Sequence, residues 1–128
     1  MRAVYISEFG PADAAEVRDV PAPSAPTGDA VLVKVHAAGV NRADLLQTKG
    51  LYPPPAGYSP NMPGLEFAGE VAGVGSTVSR WKTGDRVFGI LAAAGQAEFV
   101  LTHAGLLAAI PDTLSFIDAA AIPEAFIT

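Results

Sequence analysis

Glycine and proline occur so often along this chain that its helices and strands must all be short. Thirteen glycines and eleven prolines are distributed over the whole sequence of 128 residues. Proline breaks helices and is excluded from central strands, and glycine weakens both kinds of element. The pattern therefore disfavours a helical bundle and divides the chain into brief segments.

About seven of these segments have the pattern of β-strands. The clearest is AVLVKVHAAGV, residues 30–40, where apolar positions alternate as in a half-buried strand. The other segments are MRAVYI, EVRDVP, EFAGEVAGVG, DRVFGILAA, AEFVLTH and LLAAI. Short strands at a spacing of roughly ten residues predict a mainly β domain, either a barrel or a sandwich.

Brief helical phrases occur at two places. Asn41 has an N-cap side chain, and the helix that it begins extends to residue 48, before Gly50 as the C-cap. A second N-cap, Ser115, begins a phrase that Pro123 ends, and PEAFIT then has the pattern of another helix start. The sequence stops inside that phrase, so we expect residues 115–128 to begin a connection to a further domain.

Charge and composition exclude several kinds of partner. The net charge of −5 at pH 7 provides no basic surface for nucleic acid. The sequence also has neither a basic cluster for an anionic membrane surface nor an apolar run long enough to span a bilayer. The N-terminus becomes polar after six residues, too early for a secretory signal. Without cysteine the chain has no disulfides and no thiolate metal ligands. We expect a cytoplasmic protein with no nucleic-acid or membrane partner.

Three other patterns have structural explanations. GVGSTV follows a strand, but Val78 stands where a dinucleotide loop needs its third glycine, so we predict a turn at the strand end. In WKTGDRV, we expect Trp81 to cover the core and Asp85 to bond within its own turn. His36 and His103 lack metal-ligand spacing, and we expect both to be solvated or hydrogen-bonded.

The stretch NRADLLQTKGLYPPP, residues 41–55, is the least ordinary part of the chain. Helix capping explains Asn41, and Asp44 lies at the third helical position, where the helix dipole favours a carboxylate. Tyr52 precedes three prolines and lies on a stiff loop. Physical reasoning leaves two alternatives open for Tyr52, a binding surface or a cluster in which tyrosine packs on proline.

Several longer phrases together resemble one family. AAGVNRADLLQTKGLYPPP, MPGLEFAGEVAGVGSTVSRWKTGDRVFGI, GQAEFV and AAAIPEAFIT are similar to the N-terminal half of quinone oxidoreductases, the zeta-crystallin branch of the medium-chain dehydrogenase/reductase superfamily. The resemblance extends over residues 1–128. It implies a single GroES-like catalytic domain, a partly open β-barrel with a few short helices. The Rossmann domain that binds NADPH in the family is absent from this chain.

The resemblance also implies that neither zinc site of the related alcohol dehydrogenases is present. Asn41 stands where those enzymes carry a cysteine, and Leu65 replaces a histidine while Glu66 is retained. The four-cysteine lobe that follows GDRV in those enzymes is missing. Leucine cannot ligate zinc and asparagine does so poorly, so we expect no metal.

The same resemblance implies the roles of the site residues. Tyr52 is expected to line the quinone pocket as a stacking ring or hydroxyl donor, and Asp44 to orient that wall, with Asn41 as the third catalytic residue. Asn41 and Thr128 are expected to approach the nicotinamide. The implied reaction is hydride transfer from NADPH to a quinone. The alternatives are an enoyl or alkenal reductase with an enone substrate, or a stand-alone GroES-like domain without catalysis.

The resemblance also predicts the properties of the full-length form and those of the isolated chain without the Rossmann domain. The full-length form is expected to be a homodimer. The isolated chain is expected to be inactive and to bind NADPH weakly or not at all, because the phosphate-binding loop lies in the absent domain. Apolar surface around Ile122, Phe126 and Ile127 is expected to favour self-association.

Overall fold

The strands and helices of the computed structural model, which describes residues 1–127, are short and closely spaced. The strands are β1 (Arg2–Ile6), β2 (Ala15–Asp19), β3 (Ala30–Ala38), β4 (Glu66–Val74), β5 (Arg86–Ile90), β6 (Phe99–His103) and β7 (Leu107–Ala109). The helices are α1 (Arg42–Thr48), α2 (Phe116–Ala120) and α3 (Pro123–Ile127). Every predicted strand and helical phrase is therefore present.

The strands form two antiparallel sheets. The larger sheet has five strands in the order β6-β3-β4-β5-β7, and β1 pairs with β2 in a separate ribbon. A bridge between Ala3 and Ala97 joins the ribbon to the segment before β6. These open sheets, with only short helices between them, confirm the predicted mainly β fold with a few short helices.

The core lies on one face of the larger sheet. It consists of nine buried apolar side chains, which are Val31, Val33, Phe67, Val71, Trp81, Val87, Leu91, Val100 and Leu107. The valines at 31 and 33 are the inward positions of the alternation in β3, and full burial of each stabilises the fold by about 1.5–3 kcal/mol. The Trp81 indole nitrogen donates to the carbonyl oxygen of Ala104 at 2.9 Å, so its predicted structural role is confirmed.

The two glycine-containing loops beside β4 are turns, as predicted. The N–H of Gly75 donates to the carbonyl oxygen of Ala30 at 2.8 Å, and no helix follows within residues 76–85. The Asp85 carboxylate accepts a hydrogen bond from the N–H of Lys82 at 2.9 Å, within its own turn. The first loop therefore lacks the helix N-terminus that a dinucleotide pyrophosphate requires.

Helix α2 covers the second face of the larger sheet and leads into α3. The Ser115 hydroxyl oxygen accepts from the N–H of Asp118 at 3.1 Å, which confirms the predicted N-cap. Ala119 and Ala120 are buried against the sheet. On α3, Phe126 is 80% exposed and Ile127 is 62% exposed. Apolar surface is therefore present at the predicted place, although Ile122 is half-buried.

Within residues 1–127, none of the helices combines the length and the apolar character that crossing a membrane requires.

Candidate functional site

A cleft of about 450 Å³ lies beside the proline loop that follows α1. Tyr52 and the three prolines after it form one side. Leu65, the end of β5 and Glu124 of α3 complete the lining. Tyr52 is 44% exposed, so its ring and hydroxyl are accessible to a ligand. Of the two alternatives left open by the sequence, the cleft favours a binding surface.

The ends of α1 fix where the tyrosine loop begins. Asn41 is the N-cap residue, with the extended backbone that this position requires. At the other end Gly50 has a φ of +72°, and its N–H donates to the carbonyl oxygen of Gln47 at 2.9 Å. Leu51 N–H donates to the carbonyl oxygen of Leu46 at 2.9 Å, which completes a Schellman motif. Asn41 is confirmed as the N-cap, whereas the C-cap is Lys49 and the predicted Gly50 follows it with a positive φ. This end of the helix sets the direction of the chain into Tyr52.

The far end of the same loop is tied to α1 and to β1. The side-chain amide of Gln47, which is 2% exposed, donates to the carbonyl oxygens of Pro60 at 2.9 Å and Met62 at 3.3 Å. The Asn61 side chain donates to the carbonyl oxygen of Ile6 at 2.6 Å. With both ends attached, the loop presents a fixed wall to the cleft. Gln47 was not predicted as a site residue, because a glutamine inside a helical phrase carries no signal of burial.

A buried carboxylate, Glu66, links α1 to α3 behind this wall. It is 4% exposed, and its Oε1 accepts from the side-chain nitrogen of Asn41 at 2.8 Å. Its Oε2 accepts from the backbone N–H of Glu124 at 2.8 Å. The predicted site residue Asn41 is therefore held by the first residue of β4. Glu66 was predicted only as a retained residue, although a carboxylate directly before the apolar Phe67 and Ala68 is a signal of a buried partner.

Asp44 is the second buried carboxylate of this region. One oxygen accepts from the N–H of Asn41 at 2.7 Å and the other from the N–H of Gly64 at 2.8 Å. Burial raises the pKa of Asp44 above its ordinary value, the two backbone hydrogen bonds oppose that rise, and the charge of Glu66 adds to it. Asp44 is 4% exposed, and its two hydrogen bonds join the start of α1 to Gly64, so an orienting role at the Tyr52 wall stays a prediction. Direct participation in catalysis stays a prediction.

The raised pKa of Asp44 predicts a pH-dependent stability difference. A folded-state pKa above the unfolded value of 3.8 means that the stability contribution is complete below that value and is lost as pH rises through the folded pKa. Asp44→Asn removes this titration. We therefore expect the stability gap between the original chain and the variant to be larger near pH 3.5 than near pH 7. Urea unfolding followed by Trp81 fluorescence measures both, and a gap that grows with pH contradicts the expectation.

The histidines have partners outside the cleft. His36 stacks on Phe116 with ring centroids 4.3 Å apart, and its Nε2 lies 3.4 Å from a carboxylate oxygen of Glu70. His103 Nδ1 accepts from the N–H of Gly105 at 3.2 Å, and its Nε2 contacts Asp29. Both are hydrogen-bonded or paired, as predicted. In the part of the chain that the structure describes, no three acidic or histidine side chains cluster as metal ligands.

The described residues offer only a small part of a site for a nicotinamide cofactor. Asn41 is half-buried, and the backbone around Gly75 is a turn without a phosphate-binding helix. The other residue predicted to approach the nicotinamide, Thr128, lies outside the described residues. The contact of Asn41 and Thr128 with a nicotinamide therefore stays a prediction, and the turn at Gly75 does not fit a pyrophosphate.

Comparisons with known proteins point to one group of oxidoreductases. The family model "Alcohol dehydrogenase GroES-like domain" matches residues 27–112. The quinone oxidoreductase of Rattus norvegicus is 36% identical over 129 residues, which cover 100% of this chain and 39% of that protein. The chain thus spans about two fifths of the length of the curated relatives it matches.

Two solved structures extend this similarity. The quinone oxidoreductase of Escherichia coli complexed with NADPH has a TM-score of 0.83 and 32% identity, covering 94% of this chain and 36% of that one. The CurK enoyl reductase has a TM-score of 0.87 and 30% identity, covering 98% of this chain and 40% of that one. The resemblance seen in the sequence phrases is confirmed.

Proposed function

The chain belongs to the alcohol dehydrogenase GroES-like domain family, and we propose that it is the substrate-side domain of a quinone oxidoreductase that uses NADPH and no zinc. The carrying observation is the exposed Tyr52 on the proline wall of a cleft that Glu124 also lines, with the Glu66 carboxylate bonded to both Glu124 and Asn41. Residues 115–128 begin the connection to a cofactor domain in this proposal. A cytoplasmic location and a homodimeric full-length form are part of it.

The chemistry of a quinone suits these residues. A quinone is already electrophilic, so hydride addition needs positioning and a donor for the developing oxyanion, without a Lewis acid. NADPH, when bound, supplies the hydride. Tyr52 offers a hydroxyl for the oxyanion and a ring face for stacking. Leu65 lines the cleft where zinc enzymes of the superfamily carry a histidine, and leucine has no atom that ligates zinc.

Similarity to an enoyl reductase supports a second candidate. The CurK enoyl reductase matches nearly the whole chain with a TM-score of 0.87. Hydride addition to an enone also generates an oxyanion that one donor can stabilise. Reduction of an enone is therefore the alternative activity of the same site, and a domain without catalysis is the third outcome to be tested.

The decisive experiment is an assay of the complete gene product. We expect NADPH oxidation with quinones at a kcat/KM at least about tenfold above that with enones, and no loss after dialysis against a chelator, because no zinc is required. The isolated chain serves as control and is expected to give no saturable NADPH fluorescence change. A preference for enones favours the alternative, and no turnover with either class favours the domain without catalysis.

Replacing Tyr52 with phenylalanine tests the hydroxyl donor. A solvent-accessible hydrogen bond contributes about 1 kcal/mol, so we expect kcat/KM for quinones to fall about fivefold. Tyr58 is the matched control, since it is 40% exposed, follows on the same loop and does not line the cleft. Tyr58→Phe should leave the rate unchanged. Equal kcat/KM values for both variants and the original protein would contradict the role of the Tyr52 hydroxyl as a donor.

A further inference from the structure

A second recess of about 200 Å³ adjoins the cleft on the proline loop. Phe9, Gln47, Gly50, Tyr52, Pro53 and Pro60 line it. Tyr52 and Pro53 line the cleft as well, so the two spaces share these residues as a common wall. Tyr52 and Pro53 are therefore the residues at which the two spaces meet.

Phe9 lines this recess next to the end of α1. The N–H of Gly10 donates to the carbonyl oxygen of Thr48 at 2.8 Å, which fixes the turn after β1 against the helix. A Cβ added at Gly50 would lie 3.7 Å from Phe9 Cβ and Cγ, so the phenylalanine packs directly over that glycine. Phe9 nevertheless stays 45% exposed, close to the 44% of Tyr52. Both aromatic side chains thus keep about half of their surface available.

The lining defines the chemistry of the occupant. All six residues are uncharged, and the side-chain nitrogen of Gln47 already donates to Pro60 and Met62. Aromatic rings pack favourably on other rings, whereas a charged group here would lose water without gaining a partner. A dry apolar space of about 150 Å³ is enough for one benzene ring in another protein. The recess therefore matches an uncharged ring in both size and polarity.

We propose that this recess is a subsite for an uncharged aryl branch of the substrate, and that Phe9 determines specificity for substrates that carry it. The inference rests on the proposed function for the reacting ring but adds a substrate feature that the cleft alone does not define. A carboxylate or sulfonate on the branch is rejected, because no cationic side chain lines the recess. Phe9 acts here through contact with the branch and not with the reacting carbonyl.

The test measures how strongly the complete gene product prefers a quinone with a phenyl branch over one without it. The ratio of kcat/KM for 2-phenyl-1,4-benzoquinone to that for 1,4-benzoquinone should fall about fivefold in Phe9→Ala, the size expected for one lost ring contact. Leu51→Ala is the control, since Leu51 is 69% exposed on the same loop and lines neither space. An unchanged ratio in Phe9→Ala, or an equal fall in Leu51→Ala, overturns the proposal.

Two further measurements keep the result independent of turnover and of folding. Calorimetry with 2-phenylphenol and phenol, which do not accept hydride, should show tighter binding of 2-phenylphenol in the original protein and loss of that difference in Phe9→Ala. If the protein reduces no quinone, the proposed function fails while this binding difference still decides the subsite. Should Phe9→Ala not fold, Phe9→Trp replaces it, and its larger ring should reduce the same preference by filling the recess. Retention of the preference in that variant overturns the proposal.

Discussion

Alanine at Gly64 is expected to lower the free energy of unfolding by about 3–4 kcal/mol, because it combines backbone strain with a clash against neighbouring backbone atoms. Gly64 has a φ of +115°, a conformation that side chains with a Cβ rarely adopt. An added Cβ would also lie 2.3 Å from the backbone nitrogen of Gln96 and 2.7 Å from that of Gly95. Because both neighbours are backbone atoms, the chain itself has to move.

Gly57 provides the matched control for this prediction. It has a φ of +97°, but nothing lies within 4 Å of an added Cβ. Gly57→Ala therefore carries only the conformational cost, and we expect a loss of about 1 kcal/mol. Urea unfolding monitored by Trp81 fluorescence measures both variants. Equal losses would show that the close approach of Gly64 to residues 95–96 does not contribute.

The elements of this fold were predictable because their signals are local. The alternation in β3, the asparagine at the start of α1 and the glycine after it each lie within a few residues of the element they define. The order of the strands carries no such signal. Strand β3 pairs with β4 and also with β6, which begins at Phe99, and a run of valines fits either neighbour equally well. Only the packing of the whole chain selects both partners.

The candidate site divides in the same way. Asn41, Asp44 and Tyr52 could be found because they fall on one continuous stretch that also matches a known family. Glu66 and Phe9 were missed as site residues, since their roles depend on contacts between separate segments. Glu66 is 25 residues away from its partner Asn41 in sequence. Composition and periodicity cannot show such a contact, whereas the structure shows two donors on one buried carboxylate.

Replacing Glu66 is expected to have the largest effect on activity of any residue outside the cleft lining. Glu66→Ala leaves the side-chain amide of Asn41 and the N–H of Glu124 without this acceptor, so we expect a stability loss of about 2–4 kcal/mol. Because a misplacement of about 1 Å at a site can cost a hundredfold in rate, we expect kcat/KM for quinones to fall about a hundredfold. Glu66→Gln keeps one acceptor oxygen, so its kcat/KM should lie between those of the original protein and Glu66→Ala.

Two controls separate positioning from a general loss of negative charge on β4. Glu70→Gln removes a carboxylate four residues away that is 44% exposed, and we expect less than a twofold change in kcat/KM. The side-chain amide signals of Asn41 in NMR spectra should shift in Glu66→Ala and not in Glu70→Gln. If Glu70→Gln lowers the rate as much as Glu66→Gln, the contact with Asn41 is not the cause.

Gly39 offers a test of the carboxylate's position without removing it. An added Cβ at Gly39 would lie 2.0 Å from Glu66 Oε1 and 2.6 Å from its Cδ, so Gly39→Ala has to displace the carboxylate from Asn41. We expect this variant to lose about tenfold in kcat/KM. In a Glu66→Ala background the obstructing atoms are gone, so the added Gly39→Ala should cost less than about twofold. Fully additive losses in kcat/KM would mean that Gly39 and Glu66 act independently. The expected non-additive losses would mean that both substitutions act on the same feature, the position of the buried Glu66 carboxylate.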